Sequence, residues 1–270
     1  MGRIEEALEK AARRATQTSP PPLFLDNVNT YPTQTCAITE SKTVEDDKIV
    51  VLKTPHSPEA EEFRKLKEAL FKEIKRCESF GNVILITSAT PREGKSLVTV
   101  NLAASLAQEH DHTVLVIDAD LRKPSCHRPF CIDVEPGLSD YLTNNVPLSR
   151  ILTKTGIGNL VILPAGKQVS TPCELFSSNT MRRMIQEIKH RYPDRIILID
   201  SPPILNFAET RILADQADAA ILVVREKVCT LESVQECLVL LQNKIIGIAY
   251  NGSTIPPNPR NYYYYNYDQN

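Results

Sequence analysis

The sequence lacks any apolar run approaching the roughly 20 residues that a membrane-spanning helix needs. Its first residues, Met1 to Glu6, contain no apolar segment and no cleavage site, so we expect no secretory signal there. Glu6 also departs from the myristoylation pattern that Gly2 would begin. Neither sign of charge is in excess, because 31 Lys and Arg residues against 33 Asp and Glu residues give a net charge of −2. These absences predict a cytoplasmic protein with no nucleic-acid partner.

Two pairs of cysteines at zinc-binding spacing are also absent. The seven cysteines are odd in number and scattered, which is typical of reduced thiols in a cytosolic protein. Cys126, His127 and Cys131 are close in sequence, but no second pair accompanies them, so a role in the fold is favoured over a zinc site. The chain has 270 residues, 42% of them hydrophobic, which allows one α/β domain with appendages.

Composition divides the chain into three parts. Residues 1–47 combine a short amphipathic pattern at 3–14 with a linker rich in Pro, Thr and Asn, which we expect to be flexible. Residues 48–250 alternate apolar runs with helical patterns, as one folded domain does. Residues 251–270 are rich in Pro, Asn and Tyr, and this composition predicts a disordered tail.

The central part predicts an α/β fold. A short strand is expected at Lys48–Leu52, and Ser57 and Pro58 indicate a helix that runs to about Cys77. Further strands are predicted at 83–88, 113–118, 159–163, 195–200, 219–224 and 245–250. Helices are predicted at 94–108, 137–143, 178–191, 207–214 and 230–242. Strands that are apolar throughout and separated by helices indicate a doubly wound, mainly parallel sheet with helices on both faces. Ligands of such sheets bind at the carboxyl ends of the strands.

A phosphate-binding loop follows the first of these core strands and opens a helix. Backbone N–H groups and the helix N-terminus make such a loop a site for nucleotide phosphates. Lys95 is expected to reach the β- and γ-phosphates, and the Ser96 hydroxyl to hold Mg²⁺. Ala89 replaces the first Gly of the general pattern. The residues predicted to bind ATP are Ala89, Thr90, Pro91, Arg92, Glu93, Gly94, Lys95, Ser96 and Leu97.

Two acidic strand ends accompany the loop. Asp118 and Asp120 lie two residues apart after one apolar strand, with Arg122 next along the same face if the chain stays extended. Asp200 ends another apolar strand and is followed by Pro202 and Pro203. The carboxylates of Asp118 and Asp120 and the guanidinium of Arg122, near a phosphate loop, suit Mg²⁺ and a phosphate-bearing partner. Asp200 is also positioned for the metal, so we predict that Ser96, Asp118 and Asp200 hold Mg²⁺.

The last residues contain a cluster of tyrosines. Exposed phenols without a core to fill favour aggregation, so a role as phosphoryl acceptors explains them better than a structural one. The predicted acceptors are Tyr262, Tyr263, Tyr264, Tyr265 and Tyr267.

Together these motifs closely resemble the bacterial tyrosine kinases of exopolysaccharide and capsule synthesis, over roughly residues 48–267. The resemblance implies a phosphate-loop ATPase fold and an enzyme that uses ATP and Mg²⁺ to phosphorylate its own tyrosine cluster. It assigns Lys95, Asp118, Asp120 and Arg122 to catalysis, with Asp118 either activating the tyrosine hydroxyl or organising the metal.

The resemblance also implies partners. The family carries a Glu-x-x-Arg-x-x-Arg pattern that packs subunits into a ring, here Glu61, Arg64 and Lys67, although these residues also suit a solvated helix face. A separate membrane-spanning polysaccharide chain-length protein would recruit and activate the kinase at the inner face of the membrane, and a tyrosine phosphatase would reverse its action.

Two other functions share this fold. The first is a septum-site or plasmid-partition ATPase that switches as a nucleotide-bound dimer. That family usually carries a Lys five residues before the phosphate-loop Lys, where this chain has Thr90. The second is a non-catalytic scaffold, which the intact set of Lys95, Ser96 and three aspartates disfavours.

Overall fold

Seven β-strands form one sheet in the computed structural model, which describes residues 48–76, 81–191 and 195–254. The strands are β1 (Val83–Ser88), β2 (Thr113–Asp118), β3 (Thr153–Lys154), β4 (Leu160–Leu163), β5 (Arg195–Asp200), β6 (Ala219–Arg225) and β7 (Ile245–Asn251). Their order across the sheet is β3-β4-β2-β5-β1-β6-β7. All neighbouring pairs are parallel except β3 with β4.

Helices connect the strands. In the described residues they are α1 (Val50–Lys53), α2 (Pro58–Arg76), α3 (Lys95–Leu106), α4 (Leu138–Asn144), α5 (Leu148–Ile151), α6 (Pro172–Ser177), α7 (Asn179–Arg191), α8 (Ala208–Gln216) and α9 (Leu231–Leu241). Two 3-10 turns lie at Arg128–Phe130 and Gln242–Lys244. Among the described residues, no helix combines the length and the apolar character that crossing a membrane requires.

The sheet is buried on both faces, as a doubly wound fold requires. Successive side chains of a strand point to opposite faces, so Leu85 of β1 belongs to one core cluster and Ile86 to the other. The first cluster includes Phe176 of α6 and Leu213 of α8. The second includes Leu102 of α3, together with apolar residues of α1 and α2. The α/β fold with a mainly parallel sheet is therefore confirmed.

The segment Lys48–Leu52 was expected to be a strand, and this expectation is wrong. Residues 50–53 are helical, and Thr54 N–H donates to Val50 O at 2.9 Å. Ile49 and Val51 are buried in the same core cluster as α2 and α3, while Asn101 Nδ2 donates to Lys48 O at 2.7 Å. Packing against two helices overrides the strand propensity of these branched side chains.

The other predicted strands and helices occur within two residues of their expected bounds. Ser57 caps the start of α2, since Ala60 N–H donates to Ser57 Oγ at 3.2 Å. The sequence did not indicate α5, α6 and β3, which have four, six and two residues and are too short for a periodic pattern. The predicted N-terminal helix and linker, Cys77 and the tail beyond Thr254 lie outside the described residues.

Candidate active site

The candidate site lies where β1, β5 and β2 end side by side. Asp118 of β2 and Asp200 of β5 occupy paired positions on neighbouring strands. The chain that leaves β1 forms the phosphate loop and enters α3. Because these three strands are parallel, their carboxyl ends share one edge of the sheet, which brings the loop and both acidic strand ends together.

Gly94 is the residue that turns the phosphate loop into α3. Its φ is +91°, in the left-handed region that only glycine adopts at low cost. A Cβ atom at this position would lie 2.1 Å from Asn251 Nδ2. The 12-residue helix α3 therefore begins directly at the loop, with its first N–H groups available to an anion.

Glu93 fixes the shape of the loop from inside. Its buried carboxylate accepts hydrogen bonds from Thr90 N–H at 2.5 Å and Thr90 Oγ1 at 2.8 Å through Oε1, and from Arg225 N–H at 3.1 Å through Oε2. Its carbonyl oxygen accepts from Asn251 Nδ2 at 2.8 Å. Glu93 thus connects the loop to the ends of β6 and β7, and its buried side chain stabilises the backbone of the loop.

Lys95 forms an ion pair with Asp120, which follows β2. Lys95 Nζ lies 3.0 Å from Asp120 Oδ2, and both side chains are largely buried. Burial alone would lower the pKa of Lys95, but the charges of Asp200 and Asp120 and the hydrogen bond to Asp120 act together against burial, so the pKa is raised and the ammonium is retained. A cation that can approach nucleotide phosphates is therefore held at the mouth of the site.

Asp200, at the end of β5, accepts hydrogen bonds from three side chains. Its Oδ2 accepts hydrogen bonds from Ser96 Oγ at 2.6 Å and from Cys126 Sγ at 3.4 Å, while Oδ1 accepts from Thr99 Oγ1 at 3.1 Å. Burial raises the pKa of Asp200, and the charge of Lys95 and the bond from Ser96 oppose that rise. Asp200 thus connects the phosphate loop to the strand edge.

Asp118 is as deeply buried as Asp200, and both are more buried than Asp120. The Oδ2 atom of Asp118 accepts the N–H groups of Ser125 and Cys126, both at 3.0 Å, and the residue is fully buried. Burial and the neighbouring charge of Asp200 raise the pKa of Asp118 to about 8. Two adjacent buried carboxylates favour a bound cation, because a cation offsets both the burial and the repulsion.

The donor set fits Mg²⁺, the ion that the fold implies beside a nucleotide. Mg²⁺ prefers oxygen ligands and is usually held by one or two carboxylates together with substrate phosphates. Ser96, Asp118 and Asp200 supply a hydroxyl and two carboxylates at one strand edge. These are the three residues that the sequence predicts as metal ligands, and the structure brings them together.

Arg122 does not lie on one face with Asp118 and Asp120, because the chain turns after Asp120 instead of staying extended. Its Nε donates to Glu209 Oε1 at 2.6 Å, and its guanidinium carbon lies 4.6 Å from the centroid of the Phe207 ring. The hydrogen bond to Glu209 raises the pKa of Arg122. Arg122 thus joins the acidic motif to the start of α8, and its catalytic role stays a prediction.

The three residues of the predicted ring contact are placed differently on α2. Arg64 Nη1 pairs with Glu61 Oε2 at 2.7 Å, and both side chains are part-exposed. Lys67 is buried and pairs with Glu109 within the same chain. The expectation that all three share an accessible face therefore fails for Lys67. The acceptor tyrosines lie outside the described residues.

Sequence reasoning missed residues that contact the aspartates. Thr99 lies one helical turn after Ser96, so the helical period could have indicated it. Cys126 comes eight positions after Asp118 and reaches Asp200 only because the chain folds back. No local sequence pattern marks such a contact.

This fold and site define a phosphate-loop nucleotide-binding protein. A family model described as an AAA domain matches residues 81–247. The chain is 32% identical over 219 residues to the putative tyrosine-protein kinase EpsB of Ralstonia solanacearum. The matched region is 80% of this chain but only 28% of EpsB. It is 30% identical over 219 residues to the tyrosine-protein kinase YwqD of Bacillus subtilis, covering 80% of this chain and 90% of YwqD.

Two solved structures have a similar fold. The kinase domain of the Escherichia coli tyrosine kinase ETK has a TM-score of 0.72 at 28% identity, covering 81% of this chain and 84% of that domain. The septum site-determining protein MinD of Pyrococcus horikoshii, solved with Mg-ADP, has a TM-score of 0.53 at 26% identity, covering 65% of this chain and 74% of that one. The chain belongs to the bacterial tyrosine-kinase family.

Proposed function

We propose that the protein is an ATP-dependent protein-tyrosine autokinase that phosphorylates its own C-terminal tyrosines. The observation that carries this proposal is the convergence of Lys95, Asp120, Ser96 and Asp200, joined by contacts of 3.0 Å and 2.6 Å, at the end of the phosphate loop. A cation, two metal-binding oxygens and a helix N-terminus at one strand edge are the parts that phosphoryl transfer requires.

Each residue has a defined task in this proposal. The loop 89–97 holds the ATP phosphates, with Lys95 neutralising charge that spreads over the transferred phosphoryl group. Mg²⁺, held by Ser96, Asp118 and Asp200, supplies further charge neutralisation when it is bound. Asp118 either accepts the phenolic proton or fixes the metal, and its two backbone hydrogen bonds keep it oriented for either task.

The reaction itself is a transfer between two oxygens. The phenolic oxygen of a tail tyrosine forms a bond to the γ-phosphorus, and the bond from that phosphorus to the β–γ bridging oxygen breaks. ADP leaves with the bonding electron pair, and the phenolic proton passes to a carboxylate or to water. The acceptors are Tyr262, Tyr263, Tyr264, Tyr265 and Tyr267.

We further propose that transfer occurs between chains of a ring-like oligomer. Glu61 and Arg64 are the members of the predicted contact that keep part-exposed side chains. Lys67 is instead buried and connects α2 to the segment after α3 through its ion pair with Glu109.

The proposed setting is exopolysaccharide or capsule synthesis or export, as the motif resemblance implies. A separate membrane-spanning chain-length protein would recruit the kinase to the inner face of the membrane and activate it by shifting its conformational population. A tyrosine phosphatase would complete the cycle. The activity of longer relatives such as EpsB, of which the chain spans 28%, extends to this protein only as part of this proposal.

Incubation with ATP and Mg²⁺, followed by peptide mass analysis of the tail, tests the proposal. We expect phosphate on residues 262–267 in the wild type and a loss of at least about 100-fold in Lys95→Met. Lys154→Met is the matched control, because Lys154 is exposed on β3 at the far edge of the sheet. ATP hydrolysis without tail labelling would instead favour the switch ATPases, and undiminished labelling of Lys95→Met would contradict the site.

A further inference from the structure

Cys126 is a buried thiol at the acidic centre that phosphoryl transfer does not require. Its N–H donates to Asp118 Oδ2 at 3.0 Å, and its Sγ donates to Asp200 Oδ2 at 3.4 Å. One residue therefore contacts both buried carboxylates, one through its backbone and the other through its side chain. Mg²⁺ selects oxygen ligands and has little affinity for sulfur, so the thiol adds nothing to a magnesium site.

The three side chains form a ligand set of a different kind. One ligand atom from each of Asp118, Cys126 and Asp200 lies within 4.8 Å of the others, and all three residues are buried. Two carboxylate oxygens and one sulfur suit a borderline-soft divalent cation such as Zn²⁺, Co²⁺ or Cd²⁺. Three protein ligands that leave a further coordination position open is a common arrangement for such ions.

The position of the thiol also distinguishes it from the other described cysteines. Cys131, five residues further along the chain, is exposed, and Cys237 is buried in α9 with the apolar core. Cys126 alone in the described part of the chain belongs to a group of potential metal ligands. Ser96 Oγ approaches the same Asp200 oxygen at 2.6 Å, so the cluster is continuous with the phosphate loop.

We propose that Asp118, Cys126 and Asp200 bind a thiophilic divalent cation of the Zn²⁺ type, and that this cation competes with Mg²⁺ and inhibits the kinase. Binding forms a sulfur–metal bond and releases the thiol proton to solvent, without transfer of electrons. Mg²⁺ and the thiophilic ion draw on the same two carboxylates, so we expect them to compete for the site. The inhibitory effect rests on the proposed kinase function, whereas the binding itself does not.

Cobalt absorption tests the binding directly in the purified full chain without nucleotide. Coordination of Co²⁺ by a thiolate produces a sulfur-to-metal charge-transfer band in the near ultraviolet, and carboxylates alone produce none. We expect a band in the wild type that is absent from C126S, beyond any background from the other cysteines. C131S is the matched control and is expected to keep the band.

Zinc affinity, measured by equilibrium dialysis, should fall at least about ten-fold in C126S and C126A, because loss of a ligand costs no less than loss of a supporting residue. Circular dichroism verifies that both variants are folded, and C126A serves if C126S is not. A wild-type spectrum without the band, or a band or zinc affinity unchanged in the folded variants, overturns the proposal.

Inhibition is measured separately, as the loss of tail phosphorylation when Zn²⁺ is added at fixed ATP. We expect excess Mg²⁺ to relieve it, and inhibition that Mg²⁺ does not relieve refutes the competition. Failure of the proposed kinase function has a different signature: the cobalt band is present while the tail is never labelled. An active kinase without the band shows the reverse, that the function stands and the thiophilic site does not.

Discussion

Gly94 determines the backbone path from the phosphate loop into α3. We expect Gly94→Ala to weaken nucleotide binding at least about ten-fold and to lower the free energy of unfolding by roughly 1–3 kcal/mol. The physical reasons are the φ of +91° and the contact of 2.1 Å that a Cβ would make with Asn251 Nδ2. Calorimetric titration with nucleotide and urea unfolding measure the two effects.

Gly247→Ala is the control for this substitution. A Cβ at Gly247 would have no heavy atom within 4 Å, and its φ lies outside the left-handed region. We expect both measurements to change little in that variant. Equal effects of the two substitutions would mean that the geometry of Gly94 is not what the loop depends on.

Glu209 stabilises the fold through its hydrogen bond with Arg122. Burial would raise the pKa of Glu209, but the hydrogen bonds from Arg122, from its own backbone N–H and from Cys173, together with the charge of Arg122, outweigh burial, and the pKa is lowered from its ordinary value of 4.5. The ionised carboxylate of Glu209 therefore contributes stability at pH values above 4.5, and this contribution is lost as the pH falls through the lowered pKa. We expect Glu209→Gln to cost about 1–2 kcal/mol at neutral pH.

Urea unfolding from neutral pH down to about pH 3 measures this effect. The difference between wild type and Glu209→Gln should shrink towards the acid end, because protonated Glu209 resembles Gln. A difference that grows with acidity would contradict the assignment. Glu174→Gln on the neighbouring helix α6 provides a comparison for general loss of a negative charge.

At the residue level, the sequence predicts the site where chemistry coincides with the end of an element. Asp118 and Asp200 could be predicted because each ends an apolar strand, and parallel strands align their ends. Glu209 and Cys126 could not, because their partners come from remote parts of the chain. Arg122 was expected on the face of Asp120, but that expectation assumed an extended chain where the structure has a turn.

At the level of elements, long periodic segments were predictable and short ones were not. The bounds of β1, β2 and β5 match the prediction, because four or more consecutive apolar residues between turn signals leave few alternatives. The segment at α1 has the same apolar character but packs against α2 and α3 as a helix. Local propensity cannot report such a tertiary contact.

The packing of α2 depends on Lys67. Its side chain is 11% exposed and pairs with Glu109, which follows α3. We expect Lys67→Ala to lower the free energy of unfolding by roughly 1–2 kcal/mol, through loss of the pair and of the buried aliphatic stem. Lys65→Ala, at an exposed position of the same helix, should cost less than about 0.5 kcal/mol. Similar unfolding midpoints for both variants would show that the pair contributes nothing.

At the level of the whole molecule, the proposed ring predicts transfer between chains. A mixture of Lys95→Met with a chain that lacks residues 261–270 tests this, because neither can label itself. We expect phosphate on the Lys95→Met tail, detected by peptide mass analysis, with a rate that rises with the concentration of the truncated chain. Complete absence of label in the mixture, while the wild type labels fully, would show that transfer occurs within one chain.

The hydrogen bond from Asn251 to Glu93 attaches the start of the tail to the phosphate loop. Only residues 252–261 separate Asn251 from Tyr262. Because consecutive Cα atoms are about 3.8 Å apart, Tyr262 stays within roughly 40 Å of Asn251 whatever conformation the tail adopts. Confinement to that volume gives an average local concentration in the millimolar range. In the proposed ring the same tether holds each tail beside its neighbouring chain, so we expect a tyrosine on an unattached protein to compete poorly. Selection of the tail would then rest on attachment more than on recognition of sequence.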